Sequence, residues 1–168
     1  MQFITTKKSN LWKKFSFTLA CSITINNLEV GKRHIFKITF WANTSNNLIY
    51  CRFNNDSGNN YRRSALIFDY TGVTAGGDSS DTDRIYCQHG SYNNIIDLPA
   101  FLEAELIYAY NNNKKVLIQG ILLSNTYDTS RQSFNHFTGR YIGASDVSSI
   151  TFYTTAGGMT GKIEVYKE

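Results

Sequence analysis

The chain is poor in the residues that staple, span or catalyse. It has one proline in 168 residues and three cysteines, Cys21, Cys51 and Cys87, with no CxxC pair among them. An odd, sparse cysteine count excludes the disulfide framework of a small secreted domain and the paired spacing of a structural zinc site. Charged residues reach only 18%, below the usual quarter. No apolar run approaches the roughly 18 residues of a membrane-spanning helix, so no membrane partner is expected. The chain holds no GxSxG elbow, P-loop or GxGxxG run. His34, His89 and His136 stand too far apart for an HxH, HExxH or HxxxH arrangement. Paired glycosidase carboxylates would have to come from Asp56, Asp69, Asp97, Glu103 or Glu105, and no spacing singles out a pair. The expectation is a protein that is not an enzyme, with no cofactor.

Neutral polar residues fill the gap. Asn, Thr and Ser number 17, 16 and 15, a composition suited to strands with hydroxyl-bearing outer faces and Asn-rich turns. The length fits one domain burying roughly 70% of its unfolded-chain surface. The net charge of +4 is unevenly spread. Residues 1–40 carry seven Lys or Arg against Glu29 alone, and residues 69–105 carry a net −6. A nucleic-acid binder should show a denser basic stripe with aromatics interleaved, so no nucleic-acid partner is expected. Lys7, Lys8, Lys13 and Lys14 before Phe15–Cys21 imitate a lipoprotein signal, but the apolar stretch is six residues long and interrupted by Ser16 and Thr18. A signal core needs 7–15.

Period two dominates the pattern. Phe15, Phe17, Leu19, Cys21, Ile23 and Ile25 alternate with small polar residues, which predicts one strand of eleven residues with each cysteine-bearing run facing inward. Phe36, Ile38, Phe40 and Ala42 share a face in the next strand, leaving Trp41 on its polar side. Further strands are expected at Leu48–Phe53, Ser64–Thr71, Arg84–His89, Phe101–Tyr110, Val116–Ser124, Arg140–Ala144, Ser148–Tyr153 and Lys162–Tyr166. Asp97 and Pro99 offer a helix start for 98–110, but the tyrosines and the adjoining β-branched run favour strand. Asn54–Asn60 reads as a tight turn, because Asn, Asp and Gly tolerate left-handed backbone. Thr71–Asp83 reads as a solvated Gly/Ser/Asp loop. Many short strands, Asn/Gly turns and almost no helix predict an all-β fold, an antiparallel β-sandwich of jelly-roll type with nine or ten strands. A closed barrel is the alternative.

Three groups of residues are candidates for function. Residues 1–14 form a basic arm ahead of a single sandwich domain at residues 15–168. In one reading Trp12 anchors the arm on a neighbouring subunit while Lys7, Lys8, Lys13 and Lys14 meet an acidic surface, which makes the protein a homo-oligomer. Removal of the arm should then leave the fold intact. In the other, the arm packs on its own domain as an edge strand. Trp41, with Asn54, Asp56 and Tyr61 at the turn, forms a ligand- or receptor-facing set, since exposed aromatics beside amides stack sugar rings or anchor protein interfaces. Asp78, Asp81 and Asp83 are weak calcium candidates, because their spacing is not that of an EF-hand and calcium wants six to eight oxygens. No other metal site is expected.

Two stretches resemble a loosely defined group of tailed-phage virion proteins. Leu48–Tyr61, reading LIYCRFNNDSGNNY, is similar to that group's strand followed by R-F-N-x-D-x-G-x-N-Y. Val147–Tyr166, reading VSSITFYTTAGGMTGKIEVY, is similar to its closing I-T-S-I-x-F and G-x-I-x-L-Y-G segment, with Lys167-Glu168 in place of the usual final Gly. The resemblance covers 34 residues and implies a non-enzymatic β-sandwich at the virion surface, as a capsid decoration, baseplate or tail-fibre module. Its partners would be other capsid or tail subunits. It also implies a tight turn at Asn54–Asn60 that Arg52 and Asp56 can pair across, and a terminal strand sealing a sheet edge. The rival is a carbohydrate-binding module that recognises a cell-surface glycan.

Overall fold

The computed structural model describes residues 10–44, 48–69, 72–87, 99–108, 116–125, 132–143 and 146–168. Twelve strands are present among them: β1 (Asn10–Ala20), β2 (Ser22–Asn26), β3 (His34–Ala42), β4 (Ile49–Phe53), β5 (Tyr61–Asp69), β6 (Gly72–Thr82), β7 (Ile85–Tyr86), β8 (Ala100–Tyr108), β9 (Val116–Asn125), β10 (Gln132–Tyr141), β11 (Ser149–Thr154) and β12 (Met159–Lys167). They pair antiparallel into an eight-stranded sheet, β1-β12-β3-β8-β9-β10-β5-β6, and a four-stranded sheet, β2-β11-β4-β7. The two sheets pack face to face as a β-sandwich. No described helix is long and apolar enough to cross a membrane.

Alternation builds the core. Phe36, Ile38 and Phe40 from β3, Leu102 and Leu106 from β8, and Ile118 and Leu122 from β9 lie fully buried against Ile49, Cys51 and Phe53 of β4 and Ile150 and Phe152 of β11. The Phe36 and Phe152 rings meet edge-on across the sheets, with centroids 5.5 Å apart, the spacing aromatic pairs favour.

Four local expectations change. The single strand over 15–25 is two, β1 and β2, which belong to different sheets. Leu19 takes a left-handed φ of 53°, its side chain is 66% exposed, and the β1–β12 register slips between Phe17 and Ala20. Both inner faces are apolar, so the alternation runs on through the corner and conceals it; Cys21, at that corner, is exposed rather than buried. The Gly/Ser/Asp segment is an edge strand, β6, held by backbone pairing to β5 with two register slips. Its side chains carry little strand propensity, so the neighbour's hydrogen-bonding groups supply the order. β10 begins eight residues earlier than its sequence suggests because Ser133 and Asn135 occupy inward positions, fully buried. They are satisfied there by a Ser124–Ser133 hydroxyl contact of 2.8 Å and an Asn135 amide donating to Ser133 at 3.3 Å. Finally, β12 seals no edge: it lies between β3 and β1, and β1 is the outermost strand.

Candidate functional site

The arm residues within the described chain engage their own domain. Residues 10–14 run in β1, paired with β12 from Asn10↔Lys167 to Lys14↔Glu164, as the edge-strand reading has it. Trp12 packs on His34 with ring centroids 5.6 Å apart, and Lys13 Nζ stands 4.0 Å over the indole. Lys13 also donates to the Asn26 carbonyl at 2.5 Å, and Lys14 lies 2.8 Å from Glu164. Lys7 and Lys8 lie outside the described residues. His34 is fully buried, and its Nδ1 sits 3.0 Å from the Lys32 carbonyl. A carbonyl only accepts, so Nδ1 carries the proton; burial holds the imidazole pKa below its ordinary value.

The turn residues build the turn itself. Asn54 and Asn55 adopt positive φ of 50° and 55°, as Asn tolerates. Asn54 donates to the Asp146 carbonyl at 2.7 Å and accepts from the Ser148 and Ser149 amides at 2.9 and 3.2 Å, tying the turn to the approach to β11. Asp56 accepts from the Gly58 amide, the Asn60 side chain and the Tyr141 hydroxyl at 2.8, 2.9 and 2.8 Å. Burial opposes its charge, but these donors win and hold its pKa below the usual carboxylate value. Tyr61 is fully enclosed rather than facing outward; its hydroxyl accepts from the Phe53 amide at 3.0 Å and lies 2.9 Å from the Asp56 carbonyl. Burial raises the phenol's pKa.

Arg52 does not pair across this turn with Asp56. It reaches Asp83, whose Oδ2 lies 2.5 Å from Nη2 of both Arg52 and Arg84, while Oδ1 accepts from Arg84 Nε at 2.6 Å. Arg84 first and Arg52 second hold the Asp83 carboxyl below its ordinary range. A carboxylate already matched by two guanidinium groups has little to offer calcium. Asp78 and Asp81 lie in β6, with side chains outside the described residues. Among the described residues no three His, Cys, Asp or Glu come together as metal ligands.

Trp41, by contrast, faces outward at 40% exposure, opposite Thr160 of β12. It stands on the outer face of the eight-stranded sheet, and that face holds what the sequence did not reveal. Register places Phe101, Leu123, Phe134 and Phe68 in one row across β8, β9, β10 and β5. The next row holds Glu103, Ile121, His136 and Leu66, followed by Glu105, Gln119, Thr138 and Ser64, then Ile107, Leu117, Arg140 and Arg62. Leu66, Phe68, Leu117 and Leu123 are each 40–42% exposed. A shallow depression of about 230 Å³ opens beside them, lined by Glu103, Glu105, Gln119, Ile121 and His136 over Ala104 and Gly120. Glu103 is 3.4 Å from Lys37, and Glu105 is ion-paired with Arg33.

The face therefore has a neutral apolar band between a charge-paired flank, Glu103 with Lys37 and Glu105 with Arg33, and a basic corner at Arg62 and Arg140. Each outward residue is unremarkable in its own strand; only the strand order gathers them. One signal was present, since Leu117 and Leu123 are large apolar residues on the polar phase of β9. Neither a protein-family model, nor a curated protein, nor a solved structure matches the chain.

Proposed function

We propose that this chain is a non-enzymatic structural protein of a tailed-phage virion, surface-exposed as a capsid decoration or tail module and acting by protein–protein contact. The observation that carries the contact reading is the neutral apolar band on the outer face of the eight-stranded sheet. A monomer ordinarily keeps its large apolar residues scattered or covered, and a contiguous band rimmed by charge is the mark of an interaction surface. Of the candidates read from the sequence, Asp56, Asp83 and Tyr61 are committed to internal bonds. The virion assignment draws on the two segments that resemble phage proteins, which form β4 with the locked Asn54–Asn60 turn, and the consecutive strands β11 and β12, one in each sheet.

Particles banded in a density gradient from cultures producing the chain are expected to carry it in stoichiometric amount, measured by mass spectrometry. Leu123→Lys, in the band, is expected to deplete it. Banded particles that lack the intact chain would overturn the assignment. The exposed Trp41 favours a second reading, a carbohydrate-binding module. That reading predicts glycan-array binding that Trp41→Ala abolishes and Leu123→Lys leaves intact.

A further inference from the structure

We infer that His34 is an acid-operated latch on the N-terminal end of β1: while the imidazole is neutral, Trp12 stays docked on it, and its protonation releases Asn10–Trp12 from the sandwich with the remaining fold in place. The inference concerns one end of the sandwich rather than the outer-face band, and it is independent of the virion reading.

Three observations carry it. The first is the latch residue itself. His34 opens β3 on the buried phase of that strand and is fully enclosed. Its Nδ1 proton goes to the Lys32 carbonyl, and among the described residues its Nε2 has no hydrogen-bond partner. An unmet lone pair on a neutral ring is tolerable. A proton added at Nε2 creates a buried, charged donor with nothing to accept it, which is far more costly. The second is the company the ring keeps. From β1, Trp12 covers the imidazole, with Lys13 beside it. From β12 comes Lys167, opposite His34 in register, and from the β2–β3 connection come Glu29 and Lys32. β8 brings the apolar Leu106. The neighbouring Arg33 is paired with Glu105 and Glu168. Lys13 and Lys167 already stand 4.0 and 5.4 Å from the centre of the Trp12 ring. Glu29, the one carboxylate among the groups around the imidazole, is held by Lys167 at 2.5 Å. An imidazolium would be a third cation about one indole, with the nearby carboxylate already engaged.

The third is what gives way. β3 is paired on both sides, by β12 and β8, so His34 cannot reach water without opening the middle of the sheet. β1 is the outermost strand, and its register with β12 slips between Leu11 and Lys13, at Trp12 itself. Beyond that slip only Asn10↔Lys167 and Leu11↔Tyr166 hold the strand end. Lifting Asn10–Trp12 therefore breaks little pairing and hydrates the ring. Released, the imidazole titrates near its ordinary value of about 6.5, whereas docked it titrates lower. Acid thus favours release by up to ~10-fold for each pH unit below that value, until the docked ring also takes the proton.

The test uses the full chain carrying Trp41→Phe, which leaves Trp12 as its one tryptophan. Acrylamide quenching and emission wavelength are followed from pH 7.5 to 5.0, beside far-ultraviolet circular dichroism. Accessibility is read rather than intensity, because an imidazolium quenches indole directly. The expected result is a shielded Trp12 at pH 7.5. Below about pH 6.5 its quenching constant should rise towards that of free tryptophan and its emission should move to the red, with the dichroism unchanged. His34→Gln, which keeps a donor for the Lys32 carbonyl and does not titrate, should abolish the transition. His34→Phe is a second non-titrating variant, apolar in a buried site, and should do the same. His136→Gln, on the outer face, should leave the transition where it is. Shielding that stays flat from pH 7.5 to 5.0 overturns the inference, since the indole then holds the imidazolium in place. A transition that persists in a folded His34 variant overturns it too. So does a dichroism change in step with the quenching, because the whole fold, not the strand end, has then yielded.

Discussion

Replacing Tyr61 by Phe removes one oxygen from the interior and tests the claim that this residue is structural. The hydroxyl accepts from the Phe53 amide at 3.0 Å and lies within donating distance of the Asp56 and Phe53 carbonyls, at 2.9 and 3.2 Å. Tyr61 is fully enclosed, stacked on Phe53 at 6.2 Å and against Tyr141 at 5.1 Å. Water therefore cannot replace the lost partner, and the Phe53 N–H is left buried and unpaired. Stranding one buried backbone donor costs about 1–3 kcal/mol. Losing the bond that holds the Asp56 carbonyl adds about 1 kcal/mol, so the expected loss is about 2–4 kcal/mol. For a chain of this length each kcal/mol lowers the melting temperature by about 2–4 °C, which gives a fall of roughly 5–15 °C. Urea unfolding followed by circular dichroism measures the change directly, and an unchanged m-value would show that the unfolded reference state is the same. Tyr166→Phe is the control: its hydroxyl donates to Glu164 at 2.9 Å on the outer face, where the change should stay within about 0.5 kcal/mol. If Tyr61→Phe is as mild as this control, the hydroxyl does not hold the turn and the reasoning fails.

Three further outcomes follow from the packing. A methyl group at Gly120 would sit 2.4 Å from the Glu103 carbonyl and 2.8 Å from the Phe137 ring; Gly120→Ala should destabilise by about 2–3 kcal/mol, measured by urea titration, and an effect near zero would mean β8 and β9 separate freely. Compared with a chain lacking residues 1–9, one lacking 1–14 also strips Trp12 from His34 and unpairs part of β12, which should lower stability by about 2–4 kcal/mol; equal melting curves for the two truncations would refute the packing role of Trp12. The third concerns pH. His34 has a depressed pKa when folded, so the unfolded chain binds the extra proton first and stability falls as pH drops below about 6.5. Asp56 and Asp83, also depressed, add stability present above their unfolded pKa of about 3.9 and lost as pH falls further. Urea midpoints should therefore decline from pH 7.5 to 5.5 and again towards pH 3, with the first decline flattened in His34→Gln; a midpoint indifferent to pH between 7.5 and 5.5 would refute the buried neutral imidazole.

The sequence by itself determined the class of fold and most of its strands. Alternation at Phe36–Ala42, Val116–Leu122 and Ile150–Phe152 is a local property: successive side chains in a strand point to opposite faces, so the pattern is printed along the chain wherever one face is buried. The Asn54–Asn60 turn was legible for the same reason, since its φ values and Asx bonds lie within a few residues. Pairing is not local. Nothing in Phe15–Ile25 distinguishes one long strand from two that change sheets at Cys21, because both continue the same alternation. Gly72–Thr82 is a strand only because β5 offers it hydrogen bonds. Tyr61 reads as a turn-borne aromatic and becomes a buried brace only when Phe53 and Tyr141 close over it. The outer-face band depends on tertiary structure most of all. Phe101, Leu123, Phe134 and Phe68 come from four strands and are separated by up to 66 positions in the chain, and it is the β8-β9-β10-β5 order and register that set them side by side.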